Sequence, residues 1–318
     1  MKPGNRFLPL LLVASLLSGC AAEGGSLTVG EDSGTMVPDA PLVVYYSFSG
    51  EVEQMAREIS DMTGGQGVRL DTVTVYPEDD RVRTERVRQE QDQDQGVLPE
   101  LEWNIEDLER YDTVYIGTCL WNGELPPAVK AFLTKTELEG KTVIPFGAAG
   151  AADRKETEKM ENLVKEAAPE SDVAKGFLQK SGEPADRAGT ISWLAQIGQV
   201  IPIRIEAGET ELTGVLFHNK ISEELAERLP LEVSLYEPAD FAKAFNLEKA
   251  LAEPDSRTRM LELGGLAYWP EGAAVALFFR DNVERTVVPV YTLGKVLDDV
   301  RIFEEYEGGI KITRLSIN

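Results

Sequence analysis

A parallel α/β sheet covered by helices on both faces, followed by a β-rich module, is the fold class predicted by this sequence of 318 residues. Three observations predict it. Between residues 42 and 197, apolar β-prone runs alternate with helical patterns, an order that joins neighbouring strands in parallel through crossover helices. Beyond Gly198 the rhythm changes to short strands separated by turn residues. The length exceeds what one hydrophobic core usually holds, and 42% hydrophobic residues suffice for two.

Leu42-Val43-Val44-Tyr45-Tyr46-Ser47 is a continuous β-prone run, Ser49-Gly50 forms a tight turn, and Met55, Ala56 and Ile59 recur at helical spacing. The pattern repeats as a strand over 112–118 leading to a helix over 128–133. It repeats again as a strand over 142–146 that passes through Gly147-Ala148-Ala149-Gly150 into a helix from Asp153. A short strand over 173–177 and a helix over 185–197 complete the first half. The charged stretch 78–95, with Arg81, Arg83, Arg86 and Arg88, reads as a solvated helix running into a loop, its arginines paired with neighbouring carboxylates. In the second half, runs 200–207 and 210–217 flank Gly208-Glu209 as a hairpin. A helix over 221–229 follows, then strands over 231–236, 266–270, 274–279 and 287–291, which together suggest a small barrel. The expected domains are 41–198 and 199–318. Ligands of open parallel sheets bind beyond the carboxyl ends of the strands, where the loops after Ser47, Thr118 and Phe146 converge.

Composition narrows the chemistry. The formal charge is −23, and −25 once residues 1–19, which carry Lys2 and Arg6, are removed. Nucleic acid is therefore not an expected partner, since binding it depends on neutralising phosphates with Lys and Arg. Adhesion to anionic lipid through a basic face is equally disfavoured. With two cysteines, Cys20 and Cys119, and one histidine, His218, a Cys/His zinc site is excluded and a Ser-His-Asp hydrolase lacks its partners. No calcium-loop spacing occurs, so no metal site is expected. Chemistry is left to a bound cofactor or to carboxylates.

At the N-terminus, Lys2 and Arg6 precede an apolar run over 7–17 that is too short to span a bilayer, and small residues precede Cys20. The ending Leu17-Ser18-Gly19-Cys20 resembles the lipobox of bacterial lipoproteins. That resemblance implies a signal peptide over 1–19 and lipidation of Cys20. The acyl chains would hold the protein to an extracytoplasmic membrane surface, with residues 20–40 as a flexible tether. An ordinary cleaved signal with an incidental cysteine is the alternative.

Four strings carry a second resemblance: Val43-Val44-Tyr45-Tyr46-Ser47-Phe48-Ser49-Gly50; Tyr76-Pro77; the run from Gly117-Thr118-Cys119-Leu120-Trp121 to Asn122-Gly123-Glu124-Leu125-Pro126; and the run from Gly140-Lys141-Thr142-Val143 to Ile144-Pro145-Phe146-Gly147. They resemble the flavodoxin family, in its bacterial branch with a tyrosine-rich first strand, over about 155 residues. The resemblance implies a doubly wound flavodoxin-like sheet. It also implies FMN, with phosphate in a first loop of Ser47, Ser49, Gly50, Glu51 and Val52. The isoalloxazine ring would lie between a second loop (Thr118, Trp121, Asn122, Gly123) and a third (Gly147, Gly150), with Trp121 stacking on the ring.

The family's first loop usually reads Ser-x-Ser/Thr-Gly-Asn-Thr, and this chain departs from it at Glu51 and Val52. Loss of a hydroxyl donor to a charged group costs roughly 1.5 to 3 kcal/mol. A carboxylate about 6 Å from each phosphate charge opposes it by roughly 3 kcal/mol at an effective dielectric near 20. A carboxylate in the first turn also stabilises the helix by itself, so Glu51 offers a substitute for the phosphate. Asn122 replaces a second aromatic residue often found on the second loop, and Cys119 reads as a buried structural cysteine.

A third resemblance rests on the run Leu263-Gly264-Gly265-Leu266-Ala267 to Tyr268-Trp269-Pro270-Glu271-Gly272, the aromatic strand after it, and Val290-Tyr291-Thr292-Leu293-Gly294-Lys295-Val296. These resemble the bacterial cyclophilin-like domain, whose members generally lack the catalytic set of true prolyl isomerases. That set has no counterpart here, so isomerase activity is not expected. Tyr268, Trp269, Phe278 and Phe279 line either a groove or, as alternating strand aromatics usually do, the core. The combined expectation is a membrane-anchored, FMN-binding protein for electron transfer or reduction of a quinone or small molecule, with a redox partner. The rival is a non-enzymatic ligand- or peptide-binding lipoprotein whose flavodoxin-like half has lost FMN.

Overall fold

In the computed structural model, the described residues are 40–316 apart from 93–95, 103–104, 106, 253–256 and 283–284. Cys20 and the expected signal segment and tether before Ala40 lie outside them, as does the end of the 78–95 stretch.

The first half runs β1 (Leu42–Tyr45), α1 (Glu51–Thr63), β2 (Gln66–Arg69), β3 (Asp71–Thr72), α2 (Asp80–Gln91), β4 (Leu101–Glu102), β5 (Thr113–Thr118), α3 (Pro127–Lys135), β6 (Thr142–Ala149), α4 (Arg154–Ala167), β7 (Asp172–Val173), β8 (Phe177–Lys180) and α5 (Arg187–Gln196). The sheet order is β2-β1-β5-β6-β7, with β8 also on β6 and every pairing parallel. Three expectations need correction. The first strand ends at Tyr45 rather than Ser47. Strand β2 was not anticipated, because an edge strand reading Gln-Gly-Val-Arg carries no apolar run. The expected strand 173–177 is instead two pieces, with a gap opposite Pro145. Asp172 and Ala174 donate to Lys141 and Val143 carbonyls, so this edge of β6 faces them through its odd-numbered residues. Pro145 has no N–H to continue that ladder.

Successive β1 side chains go to opposite faces. Leu42 and Val44 join Ile116, Phe132, Val143 and Val164 on one side. Val43 joins Tyr115, Ile144 and Phe146 on the other, under the amphipathic α1 (Val52, Met55, Ala56, Ile59, Met62) and α5 (Ile191, Trp193, Leu194).

The second half runs β9 (Val200–Ala207), β10 (Thr210–Phe217), α6 (Lys220–Glu227), β11 (Leu231–Ser234), β12 (Tyr236–Ala239), β13 (Ala242–Asn246), β14 (Thr258–Met260), β15 (Gly265–Trp269), β16 (Ala274–Phe278), β17 (Arg285–Val296) and β18 (Gly309–Arg314). The expected hairpin β9–β10 has the anticipated bounds. The strand expected over 231–236 breaks at Leu235, 287–291 extends to the whole of β17, and β13, β14 and β18 are additional. The order is β11-β18-β9-β10-β17-β15-β16-β13-β12, with β14 on β17. Its two outer strands are joined through the single residue Leu235, so the chain itself links the edges of a curled sheet. Tyr268, Phe279 and Tyr291 lie inside this barrel, while Phe278 packs with Ala242 and Val290 in a smaller cluster beside Trp269.

The halves share a core. Val200, Val215 and Phe217 of β9 and β10 pack into the cluster formed by α1, α5 and the sheet. Asp298 accepts from Arg187 Nη1 at 3.1 Å and from the Thr213 amide at 2.7 Å, and Lys295 Nζ pairs with Asp61 at 2.8 Å. On the face opposite α3, strands β9 and β10 thus pack against α1 and α5.

Candidate functional site

Because β1, β5 and β6 are adjacent and parallel, the loops that follow them leave the same edge of the sheet. The first loop turns at Gly50, whose φ of 90° lies in the left-handed region. A Cβ there would meet nothing within 4 Å, so the backbone angle and not crowding calls for glycine. The Gly50 amide donates to Ser47 Oγ at 3.0 Å. Helix α1 starts without a side-chain cap.

Glu51, the first residue of α1, does not fold back onto its own helix. Its Oε1 accepts from the Gly182 amide at 2.7 Å, and its Oε2 from Ser181 Oγ at 2.6 Å and Ser49 Oγ at 3.4 Å. The Ser181 bond, then the Gly182 amide, holds this carboxyl below the usual range. Val52 is buried in the core under α1 and offers nothing to the loop surface.

The second loop is built around Trp121. Its backbone pairs with Glu124 across Asn122 (φ 53°) and Gly123 (φ 81°), two left-handed residues that make a tight hairpin turn. The Trp121 ring meets Tyr46 and Tyr76 at centroid distances of 5.5 Å and Phe48 at 6.4 Å, each near a right angle. Edge-to-face pairs of this kind stabilise beyond their buried area. Arg83 lies over Phe48 and Arg86 over Tyr76, both at 4.1 Å from the ring centroid. The Tyr76 hydroxyl donates to Glu90, which also pairs with Arg86 at 2.8 Å. Gln91 Nε2 donates to the Trp121 and Leu125 carbonyls at 3.2 and 3.3 Å, fastening both ends of the turn to α2. Burial pushes Tyr46 up to about 12. Cys119 is half-buried, and its thiol is raised mainly by desolvation.

On the third loop the two glycines differ. Gly147 lies within β6, where a Cβ would sit 1.6 Å from the Thr118 carbonyl oxygen, so strand packing demands glycine. Gly150 is exposed, and a Cβ there would meet nothing within 4 Å. Thr118 is fully buried and donates to the Cys119 carbonyl at 3.0 Å.

Of the residues singled out from the sequence, Ser47, Ser49, Gly50, Glu51, Trp121, Asn122, Gly123 and Gly150 come to one end of the sheet with usable surface or turn roles. Val52, Thr118 and Gly147 serve packing. Sequence reasoning missed Ser181 and Gly182, whose approach to Glu51 depends on β8 pairing with β6, and Gln91, which carries no local signal. Tyr46 and Tyr76 were visible only as part of the resembling strings. The arrangement presents an aromatic wall, an open loop backbone and a resident carboxylate.

Comparison with known proteins bears on both halves. The profile of the family described as Flavodoxin matches residues 40–195, and that of the Cyclophilin-like family matches residues 205–314. An NAD(P)H dehydrogenase (quinone) of Paraburkholderia phymatum is 30% identical over 95 residues, which are 30% of this chain and 45% of that protein. The match therefore spans less than half the length of that curated relative. Among solved structures, a candidate flavoprotein of Bacteroides eggerthii shows 22% identity, covers 50% of this chain and 97% of its own, and has a TM-score of 0.42. A flavoprotein in complex with FMN from Lactobacillus acidophilus shows 22% identity over 44% of this chain and 92% of its own, with a TM-score of 0.39. The chain thus carries a flavodoxin-like domain followed by a cyclophilin-like domain.

Proposed function

We propose that the flavodoxin-like domain binds a flavin, FMN or its phosphate-free parent, at the ends of β1, β5 and β6 and uses it for electron transfer or for reduction of a quinone or small molecule. The observation that carries this reading is the convergence of the three loops at one sheet end, with Trp121 set among Tyr46, Phe48 and Tyr76 and the backbone at Gly50 and Gly150 open. Aromatic side chains and accessible loop backbone suit a planar ring. A bound flavin would supply the redox chemistry, and this chain its position and electrostatics. Trp121 would flank the ring, Gln91 would hold the Trp121 turn, and the open third loop would face the ring's edge. The name of the curated relative supports a quinone as the acceptor class.

The chain's net charge of −23 would disfavour added negative charge on a reduced flavin and lower its potential. By the lipobox resemblance, we also propose that Cys20 is acylated and holds the protein at an extracytoplasmic membrane surface. Cys20→Ser would then move it from the membrane to the soluble fraction, and an unchanged distribution would overturn the anchor.

The test of the flavin reading is retention. The protein is incubated separately with FMN and with riboflavin, passed through gel filtration, and the protein peak is scanned in the visible. Flavin absorbance that co-elutes and bleaches with dithionite supports the reading. A colourless peak with both flavins refutes it in favour of a binding module without redox chemistry.

A further inference from the structure

Resting on the flavin reading, we infer that this site selects a flavin whose ribityl tail ends in an uncharged hydroxyl, the riboflavin class, over one ending in phosphate. The first loop is where a phosphate would lie, and the protein has already placed an anion there. Donors converge on the Glu51 carboxylate from two sides: the Ser49 hydroxyl of the first loop, and the Ser181 hydroxyl and Gly182 amide of the β8–α5 turn. A dianionic phosphate would compete for these donors and meet a like charge.

The neighbouring cations are engaged. Arg57 pairs with Glu53, Arg69 with Glu53 and Asp71, and Lys180 with Glu183, while Arg83, over Phe48, donates to the Pro77 and Glu78 carbonyls. Arg69 also donates to the Ser47 carbonyl at 3.2 Å, so it supports the loop backbone instead of facing an incoming anion. Val52, buried in the core, adds no hydroxyl.

The same groups suit a neutral tail. An ionised carboxylate is an acceptor only, so Glu51 can take a hydrogen bond from the terminal ribityl hydroxyl of riboflavin, the position that FMN fills with phosphate. Ser47 is buried and its Oγ accepts from the Gly50 amide, so it shapes the loop and leaves Ser49 and Glu51 to face the tail. A Cβ at Gly50 would meet nothing within 4 Å, so there is room beside the loop backbone here. The departure from the family's first-loop pattern at Glu51 thus changes which flavin is preferred while leaving the ring site in place.

The experiment is a paired titration of the wild-type protein and Glu51→Gln with riboflavin and with FMN, at low and at high salt, following quenching of flavin emission. Wild type is expected to bind riboflavin about tenfold more tightly than FMN at low salt, with the gap narrowing in high salt. In E51Q the ratio shifts toward FMN by about tenfold. Tighter binding of FMN than riboflavin by the wild type overturns the inference while leaving the flavin reading intact. An equal change for both ligands in E51Q does the same. Binding of neither overturns both. Ser181→Ala, which loosens the carboxylate without removing its charge, gives a second variant; a wild-type ratio favouring riboflavin stands whether or not either variant folds.

Discussion

Phe217 belongs to the second half in sequence, yet its ring is buried in the core that serves the first. It ends β10, is 3% exposed, and clusters with Val43, Met55, Ile59, Phe146 and Trp193. Phe217→Ala removes the ring from a site walled by both halves, where neither can collapse without disturbing the other. Core truncations of this type cost about 3–5 kcal/mol. For chains of this size each kcal/mol moves the thermal midpoint by about 2–4 °C, so a fall of roughly 6–20 °C is expected. Calorimetry supplies the assay, in a Trp269→Phe background so that the remaining tryptophans, Trp103, Trp121 and Trp193, all report the first half. The expected result is one transition, shifted as a whole, with tryptophan emission moving in step. Two transitions, of which only the one not seen by tryptophan moves, would show that the halves melt independently and that the shared core contributes little.

Two further outcomes follow from the site. Glu51 has a depressed pKa in the folded state, so its contribution is present above the unfolded value of about 4.3 and is lost as pH falls through the folded value. The thermal midpoint of wild type should therefore drop more steeply below about pH 4.3 than that of E51Q; parallel curves between pH 3 and 6 would remove Glu51 from the linkage. Cys119 is held protonated by burial, so alkylation by iodoacetamide near pH 8 should be slow in the folded protein and rapid in denaturant. A rate equal to that of a free thiol in the native protein would contradict the burial.

Much of this architecture is legible because it rests on local patterns. β1, β5, β6 and the β9–β10 hairpin are apolar or alternating runs, and the loops after them lie where a parallel sheet brings them. The polar edge strand β2 and the short β14 were invisible for the opposite reason: their pairing partners, not their own residues, make them strands. Pro145 could have warned that the edge beyond β6 would be interrupted, since a missing N–H acts on the neighbouring strand. The site was readable as three loops but not as a set of contacts. Glu51 stood out as a departure, and only the placement of Ser181 and Gly182 beside it shows where its charge goes. Val52, Thr118 and Gly147 stand in the loop strings yet serve packing, because a string of residues does not separate those that build a loop from those that face outward.

Flavin binding at the Trp121 loop is the central claim, and a titration of wild type against Trp121→Leu tests it most directly. Flavin emission should be quenched on binding to the wild type, and the variant should bind about tenfold more weakly, the upper end of an aromatic pair's contribution, after its melting midpoint shows that it is folded. Equal affinity in a folded variant, or no quenching by the wild type with either flavin, would contradict the account.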